Sequence, residues 1–246
     1  MHIYILQIDW LMISNTLYIE SLSIIEQMKI IGLGSLSIIL LTAFFIGLVF
    51  SLQIVKEFLY LNALHLIGSV LATAFLRELS PVLTAVILIG NIGSYFTSEL
   101  ATMIVTEQID VLYTLDINPV YYLILPRVLA FTVIIPILNC ISFITSLMSS
   151  IFICFTFYNI DPQVFLSSVF NNLCILDIYN SSFKTIIFGF FISLISCFWG
   201  MFTKGGAKGV GVSTTLSVVT SLVSIFILDF ILSYYMFNMS KSSLSI

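Results

Sequence analysis

An arginine and a glutamate stand side by side at Arg77 and Glu78, directly before Ser80, Pro81 and an apolar run. The chain is 60% hydrophobic and only 8% charged, and so apolar a protein keeps charges where water, a partner or a function holds them. The two side chains can neutralise each other at a membrane surface, or they can bind the polar groups of a lipid. They are the first candidates for recognition of a polar ligand.

A second set of polar side chains lies between Ser98 and Asn118, in a segment too polar to cross a bilayer and too apolar for a loop. Its apolar and polar residues fall on different faces at helical spacing, which predicts one short amphipathic helix over about 98–118. Pro119 moves Asn118 out of helical conformation, so the helix should end there. Such a helix is either a connector on the membrane surface or a docking site for a soluble partner, and the spacing leaves both open.

Asp229 is the one charged residue inside the last long apolar run of the chain. A carboxylate at that depth must be paired or protonated. Its role is either structural, through a hydroxyl or backbone partner, or that of a residue lining a cavity.

Residue patterns typical of covalent chemistry are missing from the sequence. The glycine-rich stretch GGAKGVGVS lacks the GK[ST] ending of a phosphate-binding loop, and neither GxSxG nor a cluster of metal ligands occurs. The cysteines show no CxxC spacing, and there is no basic patch that could bind a nucleic acid. The sequence therefore predicts a protein that is not an enzyme and that uses no cofactor or metal.

The elements that must position these residues are membrane-spanning helices. The mean hydropathy is +1.17, and a soluble domain would carry about 25% charged residues. A bilayer core needs about 20 helical residues, and charge-poor intervals mark five candidate spans, at 38–55, 81–96, 128–157, 185–203 and 213–237. The sequence thus predicts an all-α polytopic membrane protein with about five transmembrane helices.

Two further segments have a different composition. Residues 58–76 are free of charge but less apolar than their neighbours, which predicts a re-entrant or broken helix packed against protein, with a sixth span as the alternative. The first 30 residues combine Trp10 and Leu11 with Glu20 and Glu26, which predicts an N-terminal interfacial helix over 1–30. The membrane domain then covers 31–246.

Three motifs together resemble a known family, the MlaE-type permeases of ABC lipid transporters. They are RELSPVLTA from Arg77, SELATMIVTEQIDVLYTLDINPVYYLILPRVLA from Ser98, and GGAKGVGVSTTLSVV from Gly205, followed by the aspartate of the last span. The resemblance covers roughly residues 30–237, nearly the whole chain. It implies that 31–246 form one MlaE-like permease domain with five spans.

The resemblance also implies an assembly. Two permeases would form a homodimer, each docked to a separate ABC ATPase subunit, with an MCE-domain lipid-binding protein on the far side and a membrane lipid as substrate. The amphipathic segment would be the coupling helix, facing the cytoplasm or stroma. Its expected ATPase-coupling residues are Glu99, Met103, Thr106, Glu107, Asp110 and Leu115.

The lipid cavity is expected beside the first motif. Apolar side chains there would contact acyl chains, and Arg77 and Glu78 would lie near the headgroup. The apolar residues implied are Leu76, Leu79, Val82 and Leu83.

The source and two competing functions follow from weaker signals. Isoleucine outnumbers alanine several-fold, as is typical of AT-rich genomes, and no secretory or transit-peptide pattern is visible. With the resemblance, this indicates a plastid-encoded algal member in the chloroplast inner envelope, or otherwise a bacterial inner-membrane protein. A proton-coupled secondary transporter using Asp229 and a non-transporting membrane scaffold stay open as alternatives, although the inverted repeats typical of carriers are not visible.

Overall fold

The structure, a computed structural model, describes the backbone of residues 2–61, 63 and 66–243 and the side chains of 23–61, 63 and 66–236. This part of the chain contains nine α-helices. The helices are α1 (His2–Tyr60), α2 (Ile67–Ala74), α3 (Ser80–Leu88), α4 (Ser94–Val105), α5 (Gln108–Thr114), α6 (Leu125–Tyr158), α7 (Pro162–Asn172), α8 (Ile175–Met201) and α9 (Gly206–Ser243). Single π-helical turns at Phe75–Leu79 and Ile89–Gly93 join α2, α3 and α4, and a third at Val120–Ile124 leads into α6.

Five helical stretches of the described chain are long and apolar enough to cross a membrane: Ser23–Tyr60, Ile67–Val105, Val120–Tyr158, Ile175–Met201 and Gly206–Met236. The shortest has 27 residues, which is about 40 Å of helix against a hydrocarbon core of about 30 Å. The prediction of an all-α polytopic membrane protein with about five spans is confirmed. Because consecutive spans cross in opposite directions, α5 and the turn before α9 lie at one end of the bundle (the α5 end), and α7 lies at the other (the α7 end).

The segment over 58–76 is not the re-entrant helix that its polar residues predict. α1 ends at Tyr60, and from Ile67 the chain runs as one helical stretch to Val105. The hydroxyl groups of Ser69 and Thr73 donate to backbone carbonyls of the preceding turn, at 2.8 and 2.9 Å. These polar side chains are therefore satisfied within the helix, and residues 67–76 form the outer turns of the second span.

The interfacial helix predicted over 1–30 falls largely outside the residues whose side chains are described. The backbone of α1 is continuous from His2 to Tyr60, with no break near residue 30. The side chains of the first 22 residues, Trp10 among them, lie outside the described set. The amphipathic face of this segment therefore stays a prediction.

Two clusters of buried apolar side chains hold the bundle together. The larger one joins α1, α3, α4, α6, α8 and α9, and the rings of Phe96 and Phe131 lie 5.9 Å apart within it. The second cluster lies near the α7 end and contains Phe75 and Phe165. Because Phe75 belongs to the π-helical turn Phe75–Leu79, this cluster fixes the position of that turn.

α1 packs closely against α6 through small residues. A Cβ atom at Gly47 would overlap the Ser149 hydroxyl and would lie 2.7 Å from the carbonyl oxygen of Ser146. The hydroxyl groups of Ser149 and Ser146 donate to carbonyls of α6 itself, each at 2.8 Å. Lipid tails are as apolar as the helices, so the contact depends on this close van der Waals packing rather than on a hydrophobic effect.

We expect Gly47→Ala to destabilise the protein by about 1–3 kcal/mol, because the added methyl group must push α1 away from α6. Gly34→Ala is the matched control on the same helix, since a Cβ atom there meets nothing within 4 Å. The control should be neutral or slightly stabilising, because alanine favours helix over glycine. Thermal unfolding in detergent measures both variants, and equal melting temperatures would contradict the close packing.

Candidate functional site

Charged side chains from three spans meet at the α7 end of the bundle. Arg77 and Glu78 come from the π-helical turn between α2 and α3, Asp177 and Lys184 from α8, and Asp229 from α9. Each has an oppositely charged partner at an N–O distance of 2.8 or 2.9 Å. Ionisable residues within membrane spans are expected to pair in this way.

Pro81 explains why the backbone carbonyl of Arg77 takes part in this cluster. Proline has no N–H, so it cannot donate the hydrogen bond that residue 81 of a regular α-helix gives to the carbonyl of residue 77. The Arg77 carbonyl accepts a hydrogen bond from Nζ of Lys184, at 3.0 Å. The carbonyl group of Arg77, to which Pro81 cannot donate, is therefore bound by a side chain of another span.

Arg77 and Asp177 form a bidentate ion pair. Nε and Nη2 of the guanidinium donate to Oδ1 and Oδ2 of the carboxylate, at 2.9 and 3.1 Å. Asp177 lies in the first turn of α8, where the helix dipole favours a negative charge. The carboxylate is buried, whereas 43% of the Arg77 side chain is exposed, so Arg77 is fixed along one edge and free along the other.

The buried ammonium group of Lys184 lies at the centre of the cluster. Only 2% of this side chain is exposed, and Nζ lies 2.9 Å from Oε2 of Glu78 and 2.8 Å from Oδ1 of Asp229. Nζ also donates to the hydroxyl of Ser233 at 2.9 Å, and that hydroxyl donates to the Glu78 carboxylate at 3.1 Å. Asp229 is thus paired by an opposite charge. Removing one partner from a fully buried pair costs about 3–5 kcal/mol, and the cost is lower here because half of the Glu78 side chain is exposed.

A cavity of about 350 Å³ opens beside the cluster. Its polar wall includes Arg77, Glu78 and Lys184, and its apolar wall includes Phe230 and Tyr234 of α9. The two aromatic side chains are 75% and 63% exposed, so the apolar wall faces out of the bundle. A charged wall beside an apolar one suits a ligand with a polar head and an apolar tail.

Among the residues expected around a lipid cavity, Arg77 and Glu78 line this one. Four expected apolar residues do not line it within one chain: Leu76, Leu79, Val82 and Leu83. Leu76 is 3% exposed, while Leu79 and Val82 pack against the two core clusters. Asp229 also lies outside the lining, behind Lys184.

Lys184, Asp177 and Ser233 were not found as site residues from the sequence; Lys184 only precedes the charge-poor interval 185–203. Asp177 and Lys184 are seven residues apart, which places them two turns apart on one face of α8. A lysine within a span needs a carboxylate partner. Matching Lys184 with Asp229, the one acid of the last span, is the signal that could have found the cluster.

At the α5 end, the segment predicted as one amphipathic helix over 98–118 is two helices. α4 continues the second span to Val105, and α5 covers only Gln108–Thr114. The run TMIVT from Thr102 is rich in β-branched residues, which have low helix propensity. The break follows at Glu107, whose φ of +60° is uncommon for a residue other than glycine.

The six residues expected to couple to an ATPase are spread over both helices and the break between them. Glu107, Asp110 and Leu115 are exposed, and Thr106 is exposed at the break itself. Ile109 is the buried residue of α5, at 5% exposure, and anchors the helix. Met103 lies half-buried in α4, together with Glu99.

Glu99 faces the bundle rather than the surface. Its Oε2 atom lies 2.9 Å from Nη2 of Arg127, whose side chain is 3% exposed. The Arg127 guanidinium also lies over the ring of Phe96, 5.5 Å from its centroid, as a cation–π contact. The last turns of α4 and the start of α6 are thereby joined close to α5.

The described residues contain no group of three or more His, Cys, Asp or Glu side chains that could hold a metal ion. The four cysteines are free thiols, and Cys154 and Cys197 are buried. The charged cluster around Lys184 and the ion pair of Glu99 and Arg127 are therefore the ionic contacts that a proposed function must explain.

Comparison with known proteins places the chain among transport proteins. A family model described as Permease MlaE matches residues 24–235. The chain is 52% identical over 231 residues to the probable ABC transporter permease protein ycf63 of Pyropia yezoensis, covering 94% of this chain and 88% of that protein. It is 47% identical over 214 residues to a probable ABC transporter permease protein of Synechocystis, covering 87% and 81%. It is 44% identical over 220 residues to the protein TRIGALACTOSYLDIACYLGLYCEROL 1, chloroplastic, of Arabidopsis thaliana, covering 89% and 63%.

Replacing Lys184 by methionine should lower the free energy of unfolding, by at most about 3–5 kcal/mol, because Glu78 and Asp229 lose their shared cation but keep some contact with solvent. The triple variant K184M/E78Q/D229N removes the unpaired charges as well and should recover most of that loss. Lys56→Met is the control, since Lys56 is exposed and forms no ion pair among the described residues. Melting temperatures in detergent rank the four proteins, and a K184M variant as stable as the parent would refute the buried cluster.

Proposed function

Since the chain belongs to the MlaE permease family, we propose that it is the permease subunit of an ABC-type transporter that moves a phospholipid or glycerolipid between membranes. ATP hydrolysis is assigned to a separate ATPase subunit, and this chain performs no covalent chemistry. The relatives support this reading, since two are named as probable ABC transporter permease proteins and a third after a glycerolipid, trigalactosyldiacylglycerol.

The observation that carries the proposal is the cavity at the α7 end. Arg77 donates two of its five N–H groups to Asp177, so three stay available to a headgroup phosphate or hydroxyl. Phe230 and Tyr234 offer exposed aromatic surface in the lining of the same cavity. A lipid can therefore place its headgroup on the charged wall while its acyl chains stay against apolar side chains.

α5 is the proposed coupling helix, on the cytoplasmic or stromal face. It exposes Glu107 and Asp110 to a soluble partner and is held to the bundle mainly by Ile109. Displacement of α5 would pass to α4 through the chain and to α6 through the ion pair of Glu99 and Arg127. Glu99 is thus assigned as a positioning residue rather than as a contact of the ATPase.

The remaining partners are assigned from the family. Two permeases would form a homodimer, and an MCE-domain protein would exchange lipid at the α7 end, opposite the ATPase. The chloroplast inner envelope is the proposed membrane, supported by the chloroplastic relative, with a bacterial inner membrane as the alternative. The lipid cavity of a homodimer could also include Leu79, Val82 and Leu83, which are only half-buried in one chain.

Reconstitution tests the function as a whole. The permease is purified with its ATPase, placed in donor vesicles, and assayed for ATP-dependent transfer of fluorescent phospholipid to acceptor vesicles. Transfer that needs both ATP and the ATPase supports the proposal. Proton-driven transfer by the permease alone would instead establish the carrier that uses Asp229, and absence of any transfer with the ATPase bound would favour the scaffold.

In the same assay, Arg77→Gln should lower lipid transfer by about 10-fold or more, because a charge-assisted hydrogen bond to a headgroup is worth about 1.5–3 kcal/mol. Lys56→Gln, which removes an exposed positive charge from α1 at the same end of the bundle, should leave transfer unchanged. Because Arg77→Gln also leaves the buried carboxylate of Asp177 without its cation, melting temperatures and normal co-purification of the ATPase check that both variants are folded. Undiminished transfer by Arg77→Gln would remove the residue from the lipid site.

Reversing the charge of Glu107 should separate the permease from its ATPase without unfolding it. Glu107 is exposed at the break before α5, and Glu57 is an exposed acid at the opposite end of the bundle. Glu107→Lys is therefore expected to lower ATPase co-purification several-fold, while Glu57→Lys serves as the matched control and retains it. Size-exclusion profiles check the fold of both variants, and normal ATPase capture by Glu107→Lys would contradict the assigned docking site.

A further inference from the structure

An apolar groove runs along α8 at the α5 end, at the opposite end of the bundle from the cavity of Arg77 and Glu78. It has a volume of about 740 Å³ and lies between the π-helical turn Val120–Ile124, which leads into α6, and the second half of α8. Phe191, Phe198 and Phe202 belong to its lining. Phe198 and Phe202 are 55% and 63% exposed, so the groove is open on its outer side. Because α8 is a candidate membrane span, the outer side faces acyl chains.

A second cavity continues the groove toward the end of the bundle. Its volume is about 330 Å³, and it shares Trp199 and Phe202 with the groove. Lys204 and Lys208 both line it. The turn between α8 and α9 brings them together, and it depends on Gly205, whose φ of +92° favours glycine.

The walls of this double cavity are already in place. Gly209 approaches the carbonyl of Lys204 so closely that a Cβ atom would not fit, which fixes the turn. The indole N–H of Trp199 donates to the hydroxyl of Thr220 at 2.9 Å, which fixes the ring that lies between the two cavities. A ligand therefore meets a pre-formed site and has little protein to order.

The two lysines carry positive charge that the described part of the chain does not neutralise. The ion pairs described there belong to Arg77, Arg127 and Lys184. Lys204 and Lys208 lie at the junction of the spans that end at Met201 and begin at Gly206, which is the level of the lipid headgroups. The apolar groove along α8 suits an acyl chain, and the unneutralised positive charge of Lys204 and Lys208 at headgroup level suits a negatively charged headgroup.

We propose that this double cavity binds an anionic membrane lipid, with an acyl chain in the α8 groove and the headgroup between Lys204 and Lys208. The site is separate from the transport cavity, because it lies at the other end of the bundle and shares no lining residue with it. The bound lipid would contact the turn Val120–Ile124, α8 and α9, on the face where the ATPase is assigned. It is a resident lipid of the permease rather than the transported one.

Trp199 provides the probe. The chain has two tryptophans, so Trp10→Phe leaves Trp199 as the single indole. This full-length protein, with its ATPase, is placed in phosphatidylcholine vesicles that contain a minor fraction of phosphatidylglycerol. Bromine atoms on the acyl chains of one lipid or the other quench the indole fluorescence, and we expect brominated phosphatidylglycerol to quench more than the same mole fraction of brominated phosphatidylcholine.

The double variant K204Q/K208Q, in the Trp10→Phe background, should abolish this preference. Each lysine near a membrane surface contributes about 1 kcal/mol, so the relative affinity for phosphatidylglycerol should fall about 30-fold. Lys29→Gln is the control, because Lys29 is also exposed and lies at the α5 end, near the start of the first span Ser23–Tyr60. The control should keep the preference, and equal melting temperatures check that the variants are folded.

Three results would overturn the proposal. Equal quenching by the two brominated lipids in the Trp10→Phe protein would show that the site does not select a charge. Absence of quenching by either lipid would show that protein, such as a second copy of this chain, covers the groove. A double variant that keeps the preference but loses its ATPase would assign the lysines to the ATPase instead. None of these results depends on whether lipid transfer itself is observed.

Discussion

One buried ammonium group, that of Lys184, joins three of the five spans. It contacts Glu78 and the Arg77 carbonyl of the second span, and Asp229 and Ser233 of the last. Desolvation of an unpaired ion costs several kcal/mol, so these helices cannot separate here without exposing charge to an apolar environment. The carbonyl takes part because Pro81 cannot donate to it. One proline and one lysine thus set the shape of the cavity at the α7 end.

The second span connects that cavity with α5. From Glu78 to Glu107 the chain covers about 43 Å of helix, so the charges that line the cavity and the outward-facing acids are at opposite ends of one stretch. The stretch contains the π-helical turn Ile89–Gly93, and such turns occur frequently at functional positions. At the α5 end the pair of Glu99 and Arg127 carries the same connection across to α6. Movement of α5 would therefore reach two spans together.

The spans could be predicted because a membrane helix is specified by composition over about 20 residues. Errors arose where a local pattern has two readings or where the partner is distant. The lower apolarity of residues 58–76 indicated a break in a span, but the helix itself satisfies hydroxyls such as those of Ser69 and Thr73. Apolar periodicity continued through Glu107, although the backbone turns there. Asp177 stands 100 residues from Arg77, so no sequence window contains both.

The direction in which charges face distinguishes the two ends of the molecule. Replacing a buried ion pair by apolar residues is often neutral or stabilising, so stability alone does not require five ionisable side chains at the α7 end. There the exposed edge of Arg77 faces a cavity with an apolar wall, whereas Glu107 and Asp110 at the other end face away from the bundle. An inward polar surface can hold a ligand, and an outward acidic helix can meet a soluble partner. A permease powered by a separate ATPase needs this division.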